Sequence, residues 1–353
     1  MNLFEFSPVE VRPGSLDFDT RVAPFLRSHN LNPGERLERY FCVCKNDEIV
    51  AGAGYSDRVI KCAAVAPAYR GEGLLGGLVT RILAAMREDG SHTSSHVFVF
   101  TRPENAAQFQ TLGFTGVEEC DGVLLMELGG SITKYLARLS AHKQMGETAP
   151  AGAVVVNCNP FSLGHQHLIT KASEQCGTLY VFVVQEDLSA FPFEARLKLV
   201  RAGVAHLTNV RVIPGGEYII SAATFPTYFI PDADTAVSAH ARLDVKIFAA
   251  HICPALDITT RFVGEEPYSR VTNIYNQTMS EILPGYGVGL KIFPRKTFGD
   301  DVISASRIRS ALAAGKIELT RELVPPTTYE FLQSPDGQDI IARLQSSPDD
   351  SDV

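Results

Sequence analysis

Asn159-Pro160-Phe161-Ser162-Leu163-Gly164-His165 directly follows the apolar run Ala153-Val154-Val155-Val156. A buried strand that breaks into a tight Pro/Gly turn and opens a helix presents unpaired N–H groups and a positive dipole end. Together these suit a phosphate. His165 adds a donor in the first turn, and Gly164 allows close backbone approach. Far downstream, Ile303-Ser304-Ala305-Ser306-Arg307-Ile308-Arg309 reads as a second helix start. Ser304 is placed to cap it. Ser306 and Arg309, nearly one turn apart, can reach the same anion. Arg307 reads as a neighbouring surface charge. The pair contains no covalent nucleophile and no cage of metal ligands. It suits a reaction driven by positioning and by neutralising phosphate charge. The plainer alternative for His165 is helix capping with no ligand.

A third candidate precedes both. Val65-Ala66-Pro67-Ala68-Tyr69-Arg70-Gly71-Glu72-Gly73-Leu74-Leu75-Gly76 places a glycine-rich turn between a strand and a helix. Its backbone amides can cradle a pyrophosphate. The alternative is that these glycines serve close packing only and that Asn105 caps a helix. No general base stands out nearby: His92 and His96 precede a strand and read as surface residues.

The elements that must position these groups fall into two sets. In residues 1–130, Tyr40–Cys44 and Glu48–Tyr55 predict a hairpin around Lys45-Asn46-Asp47. Lys61–Val65 and Val97–Thr101 predict further strands, and Val123–Leu128 completes the sheet. Leu74–Arg87 predicts a helix, with Leu74, Leu75, Leu78, Ile82 and Met86 on its apolar side. Glu104–Leu112 predicts a shorter one closed by Gly113. Residues 131–152 open with a helix and end in a helix-breaking stretch, so they read as a linker. From 153 to 335 strand and helix alternate: Ala153–Val156, Gln166–Gln175, Thr178–Val184, Phe193–Ala205, Val210–Ile213. That order predicts right-handed crossovers and a parallel α/β sheet. Residues 336–353 read as an acidic, mobile tail.

At 353 residues the chain is long enough for two domains, and 45% hydrophobic against 20% charged residues fits two packed cores. The net charge of −8 argues against a nucleic-acid binder but leaves room for a nucleotide held by a few local donors. Seven cysteines without a CxxC pair predict reduced thiols; Cys42 and Cys44 share one strand face. The first thirty residues show no signal-peptide pattern, and no run approaches the roughly eighteen apolar residues that span a bilayer. A cytoplasmic protein with no membrane partner is the expectation.

The glycine-rich turn resembles the acyl-CoA motif of GNAT-type acetyltransferases. Arg70 and Gly73 match, while Leu75 stands where Gly or Ala is usual and Gly76 comes one place later. Asn105-Ala106, Phe109 and Leu112-Gly113-Phe114 resemble that fold's second motif. The resemblance implies that Val65, Arg70, Gly71, Gly73, Gly76 and Asn105 hold a CoA-like or prosthetic arm. Ser162-Leu163-Gly164-His165 and Ile303–Arg309 resemble the paired motifs of the adenylyltransferase superfamily, which has a Rossmann-like fold (its first motif is His/Thr-x-Gly-His).

Over residues 3–335 the chain resembles the citrate lyase ligase family, in which a GNAT-like α+β domain precedes a nucleotidyltransferase domain. The match is carried by Asn159–Ile169, Phe182–Leu188, Glu217–Phe229, Arg261–Met279 and Ile303–Arg309. It implies an acid–thiol ligase that uses ATP, with Mg2+, and acetate to acetylate the prosthetic-group thiol of the citrate lyase acyl-carrier subunit. His165, Ser162 and Arg309 would be catalytic. Asn159, Phe161, Ser162, Gly164, His165, Ser304, Ser306 and Arg309 would bind ATP, with Gly264 and Glu265 near the adenine. Relatives place Lys or Arg in the loop after the second strand, but Gln185–Pro192 has neither; Lys291, Arg295 or Lys296 would supply that charge. The rival readings are an adenylyltransferase with a dinucleotide-type product and a nucleotide-regulated acetyltransferase.

Overall fold

A computed structural model describes residues 7–89, 96–143, 149–185, 189–219, 225, 227–230, 233–265, 270–299 and 301–346. The chain forms two compact units: residues 1–134 with 224–243, and residues 135–223 with 244–353. The fold class expected from sequence holds, an α+β unit followed by a Rossmann-like parallel α/β unit.

Among the described residues of the first unit, seven strands form one mixed sheet: β1 (Val9–Val11), β2 (Arg39–Lys45), β3 (Glu48–Ser56), β4 (Val59–Val65), β5 (Val97–Thr101), β6 (Thr115–Cys120) and β7 (Val123–Leu128). Their order is β1-β2-β3-β4-β5-β7-β6. The β2–β3 hairpin closes on Asn46 and Asp47, both at positive φ, the backbone a two-residue hairpin turn of this hand requires. Asp121 and Gly122 do the same between β6 and β7. Hence β7 does not complete the sheet; β6, which the sequence reading lacks, forms the edge.

Helix α1 (Ala23–Ser28) precedes the hairpin. Helix α2 (Leu74–Glu88) buries Leu74, Leu78, Val79, Ile82, Ala85 and Met86 against the sheet. The short α3 (Ala106–Gln110) follows β5. His96 corrects the surface reading. It is buried, its Nε2 lies 2.9 Å from the Glu127 carboxylate, and Gly130 leaves room for its ring. His92 lies outside the described residues.

The second unit opens with α4 (Ile132–Ser140), which begins three residues inside the first. Its sheet contains β8 (Ala151–Val156), β9 (Thr178–Val183), β10 (Val210–Pro214), β11 (Ile258–Gly264) and β12 (Gly289–Phe293). All are parallel, in the order β10-β9-β8-β11-β12. The chain builds outward from β8 through β9 to β10, then returns to the other side of β8. The order therefore reverses between β8 and β11. Open α/β sheets bind ligands beyond the strands' carboxyl ends at such a reversal.

Helices α5 (Leu163–Ser173) and α6 (Phe193–Gly203) are the crossovers β8–β9 and β9–β10. Helix α7 (Ala233–Ile247), the short α8 (Cys253–Leu256) and α9 (Arg270–Ile282) flank β11, and α10 (Ala305–Ala313), α11 (Pro326–Gln333) and α12 (Pro335–Ser346) follow β12. One core joins Val154, Val156, Val181 and Val183 to Ile308, Leu312 and Leu332. Ile340, Ile341 and Leu344 of α12 lie in that core, so residues 336–346 are a packed helix and not a mobile tail; 347–353 lie outside the described residues. All seven cysteines are unpaired thiols. Among the described residues, no helix is long and apolar enough to cross a membrane.

Candidate active site

At the carboxyl end of β8 the chain turns through Cys158 at φ +57 and enters α5 three residues earlier than its apolar pattern suggests. Ser162 is why. Its hydroxyl accepts from the His165 N–H (3.3 Å), and the His165 ring accepts at Nδ1 from the Ser162 N–H (3.1 Å), a reciprocal cap. An imidazole that accepts at Nδ1 carries its proton on Nε2 when neutral. Burial lowers the His165 pKa to about 4, and the nearby positive charge of Arg295 adds to the effect. Near neutral pH His165 is therefore an uncharged Nε2–H donor with its ring fixed at the helix start.

The second motif meets the first. Helix α10 is capped by the Ser304 hydroxyl, which accepts from the Arg307 N–H at 3.2 Å. From the next turn Arg309 reaches inward: one Nη donates to the Asn159 carbonyl at 2.8 Å and the other to Ser306 Oγ at 3.5 Å. Gly164 explains the close fit. A Cβ there would lie 3.0 Å from the Ile303 carbonyl oxygen, so only glycine lets the two helix starts approach this closely without a shift. The Leu163 N–H donates to the Leu323 carbonyl (2.9 Å), a third link between the motif and the C-terminal helices.

Several expected contact residues turn their side chains away from solvent. Asn159 is buried and accepts from the Phe191 N–H at 2.9 Å. Phe161 is buried against Gly203 in the core and stacks on the His165 ring at 6.1 Å. Ser162 is buried under its own cap. These three can offer a ligand only main-chain groups; the Phe161 and Ser162 side chains brace His165, and that of Asn159 ties the loop before α6. Ser306 and Glu265 are exposed. Gly264, at the end of β11, has open space where a Cβ would be, and its carbonyl accepts from Asn276 (3.3 Å). Arg307 is half-buried, with one Nη 3.4 Å from Asp301 and the other shielded from solvent.

Among the three cations considered for the missing loop charge, Arg295 stands apart. It follows β12, its Nε donates to the Glu265 carbonyl at 2.6 Å, and its charge acts on His165. Lys291 is tied to Gln175 (2.7 Å), and the charge of Lys296 acts on His167. Sequence reasoning missed Arg196. Wholly buried in α6, it donates to the carbonyls of Phe191, Asn157 and Val184 and so binds the loops after β8 and β9 together. Its signal was present: it shares the i, i+3, i+4, i+7 stripe of Phe193, Leu197 and Val200, where a charge needs a partner. Among the described residues, no group of three or more His, Cys, Asp or Glu could hold a metal.

In the first unit, Val65, Arg70 and Asn105 line a groove of about 350 Å3 between β4 and β5. Gly71 (φ +86) and Gly73 (φ +77) form the turn before α2, with open space around both. Gly76 lies within α2 and faces Leu112, so it serves packing. Asn105 donates to Thr101 Oγ1 (3.3 Å) and makes no side-chain cap.

Residues 151–332 match the family described as Citrate lyase ligase C-terminal domain. The chain is 36% identical to the [Citrate [pro-3S]-lyase] ligase of Escherichia coli (strain K12), over 89% of this chain and 90% of that one. It is 36% identical to the proteins of the same name from Klebsiella pneumoniae (87% and 90%) and Haemophilus influenzae (88% and 94%). With a family match over more than half its length and relatives of this identity over nearly all of it, the chain belongs to the citrate lyase ligase family.

Proposed function

We propose that the chain acetylates the prosthetic-group thiol of the citrate lyase acyl-carrier subunit, consuming ATP and acetate and releasing AMP and pyrophosphate. An acetate oxygen attacks the α-phosphorus, and the bond to the pyrophosphate oxygen breaks. The thiol then attacks the acetyl carbon, the bond to AMP breaks, and the thiol proton passes to solvent. The protein contributes positioned charge and donors. His165 donates from Nε2 to the α-phosphoryl oxygen. The Gly164 N–H at the start of α5 and the Ala305 and Ser306 N–H groups at the start of α10, with the Ser306 hydroxyl, take the β- and γ-phosphates, and Arg309 holds the two helix starts in register. Arg295 adds positive charge beside His165. Gly264 and Glu265 lie where the base would rest. Mg2+ would arrive with ATP and neutralise charge on its phosphates.

In this reading residues 1–130, completed by 224–243, hold the prosthetic arm through Val65, Arg70, Asn105 and the amides around Gly71 and Gly73. Residues 131–152 connect them to the adenylating part, 153–335. The unpaired cysteines fit a reducing cytoplasm.

One observation carries the proposal. Motifs far apart in sequence are joined by the bond from Arg309 to Asn159, beside a neutral imidazole at the reversal of the sheet. The test is AMP formation by the full chain with ATP, acetate and thiol-form citrate lyase. AMP should appear only when all three are present, and labelled pyrophosphate should exchange into ATP only with acetate. Exchange that ignores acetate would assign the chain to adenylyl transfer of another kind.

A further inference from the structure

Strands β4 and β5 pair only at Val59–Phe98 and Ile60–Val99 and then diverge. The divergence begins at a bulge. Gly52 faces Ala64 and Gly54 faces Lys61, so β4 carries one residue more than β3 in between. Cys62, in that bulge, sits at φ +53, a conformation that costs a non-glycine residue about 1–3 kcal/mol and persists only when its surroundings hold it.

Two tyrosines lie against it. The Tyr40 hydroxyl donates to the Cys62 carbonyl at 3.5 Å, in space left by Gly52. The Tyr228 hydroxyl donates to the Phe100 carbonyl of β5 at 3.4 Å and lies beside the Cys62 backbone of β4. Tyr228 thus lies where the pairing of β4 with β5 gives out. Beyond it, Ala63, Ala64 and Val65 have no ladder partner on β5, and they line the groove.

Tyr228 comes from residues 224–243, far from β4 in sequence. It is buried and anchored on both sides. Its carbonyl accepts from the Asn32 N–H (2.7 Å), and the Glu35 carboxylate accepts from the Thr227 N–H (2.9 Å) while paired with buried Lys61 (2.9 Å). Phe229 packs edge-on against it, with ring centroids 5.0 Å apart, and lines the same groove.

We propose that Tyr228, backed by Phe229, is the end wall of this groove and limits it to a thiol-terminated pantetheine-type arm. The amides of an extended arm match the strand edge freed beyond the bulge, and Arg70 and the turn amides suit its phosphate. An acyl group on the sulfur would have to occupy space that Tyr228 fills, because its carbonyl is held by the Asn32 N–H and its hydroxyl by the Phe100 carbonyl, so the buried ring cannot swing away without breaking its bond to β5. The charged arm then leaves more readily than the free thiol. This rests on the arm-binding role proposed for the first unit.

The test is calorimetric binding of CoA, acetyl-CoA and butyryl-CoA to the full chain. Wild type should bind CoA about tenfold or more tighter than butyryl-CoA, the usual effect of overfilling a closed apolar end. Tyr228→Ala should bring that ratio to within about threefold, and Phe229→Ala should move it partway, with folding checked by thermal melting. A wild-type ratio near one overturns the proposal, as does a ratio unchanged in the folded variants. If Tyr228→Ala does not fold, the wild-type ratio and Phe229→Ala decide. Failure of wild type to bind any of the three overturns the arm-binding role as well, whereas acetate-dependent AMP formation reports on the ligase reading alone.

Discussion

At His165 a reciprocal cap, an aromatic neighbour and a nearby guanidinium act on one ring. The cap sets the tautomer, Phe161 limits ring motion, and burial with Arg295 removes the charge. A neutral donor of this kind strengthens as the phosphoryl oxygen gains charge and needs no reorganisation. His165→Ala should therefore lower acetate-dependent pyrophosphate exchange by about 10²–10³, the usual effect of losing one transition-state donor. The same lowered pKa has a stability consequence. Above pH 6.5 His165 is neutral whether folded or unfolded, and its contribution is complete. As pH falls from 6.5 toward 4, the unfolded chain takes up a proton that the native state refuses, and stability falls. Urea unfolding should show a loss of about 2 kcal/mol between pH 7 and 5 that His165→Gln lacks. An equal loss in both proteins would show that His165 titrates normally in the fold.

At the scale of elements, the candidate site depends on how closely α5 approaches the start of α10. Gly164→Ala puts a methyl 3.0 Å from the rigid Ile303 carbonyl, and neither backbone can yield cheaply. We expect a loss of about 1–3 kcal/mol in stability, with exchange activity falling by more than global unfolding explains, measured on protein shown folded by its melting curve. Elements were legible where local chemistry decides them. Alternating apolar runs gave β2–β5 and β8–β10, the Asn46-Asp47 turn gave the hairpin, and the apolar stripe gave α2. Periodicity alone starts α5 at Gln166, because Leu163–His165 form a helical turn only through the Ser162 cap. Edge strand β6 was hidden by its half-exposed, acidic residues. Helix α12 was hidden by the acidic and serine-rich stretch around its apolar stripe. Motif spacing paired two stretches that meet through Arg309 and Asn159, but it did not show which way their side chains face. Asn159 and Phe161 belong to the motif, yet their side chains serve the core.

For the molecule as a whole, residues 224–243 complete the first compact unit, although most of the sequence around them belongs to the second. No pattern in the sequence discloses this, because Phe225, Tyr228 and His240 look like any other apolar or polar positions until their partners are known. Phe225 packs on Phe100 at 5.3 Å and on His240 at 4.9 Å, and Arg242 pairs with Asp121. A cut near residue 150 therefore does not release an intact first unit. A fragment of residues 1–150 should melt well below the corresponding transition of the full chain, because the Phe100 carbonyl loses its donor and Phe100, Asp121 and Glu35 lose their partners Phe225, Arg242 and Thr227. Addition of a peptide spanning residues 224–243 should raise that melting point. A fragment as stable as the intact chain would show that these contacts contribute little.

During synthesis on the ribosome, the unit whose strands emerge first cannot close until residue 243 has appeared. By then β8, β9 and β10 have already emerged. For that interval the nascent chain carries an unfinished sheet with a gap between β4 and β5, and it needs either a chaperone or a quick arrival of Tyr228 to keep that gap from pairing with another strand.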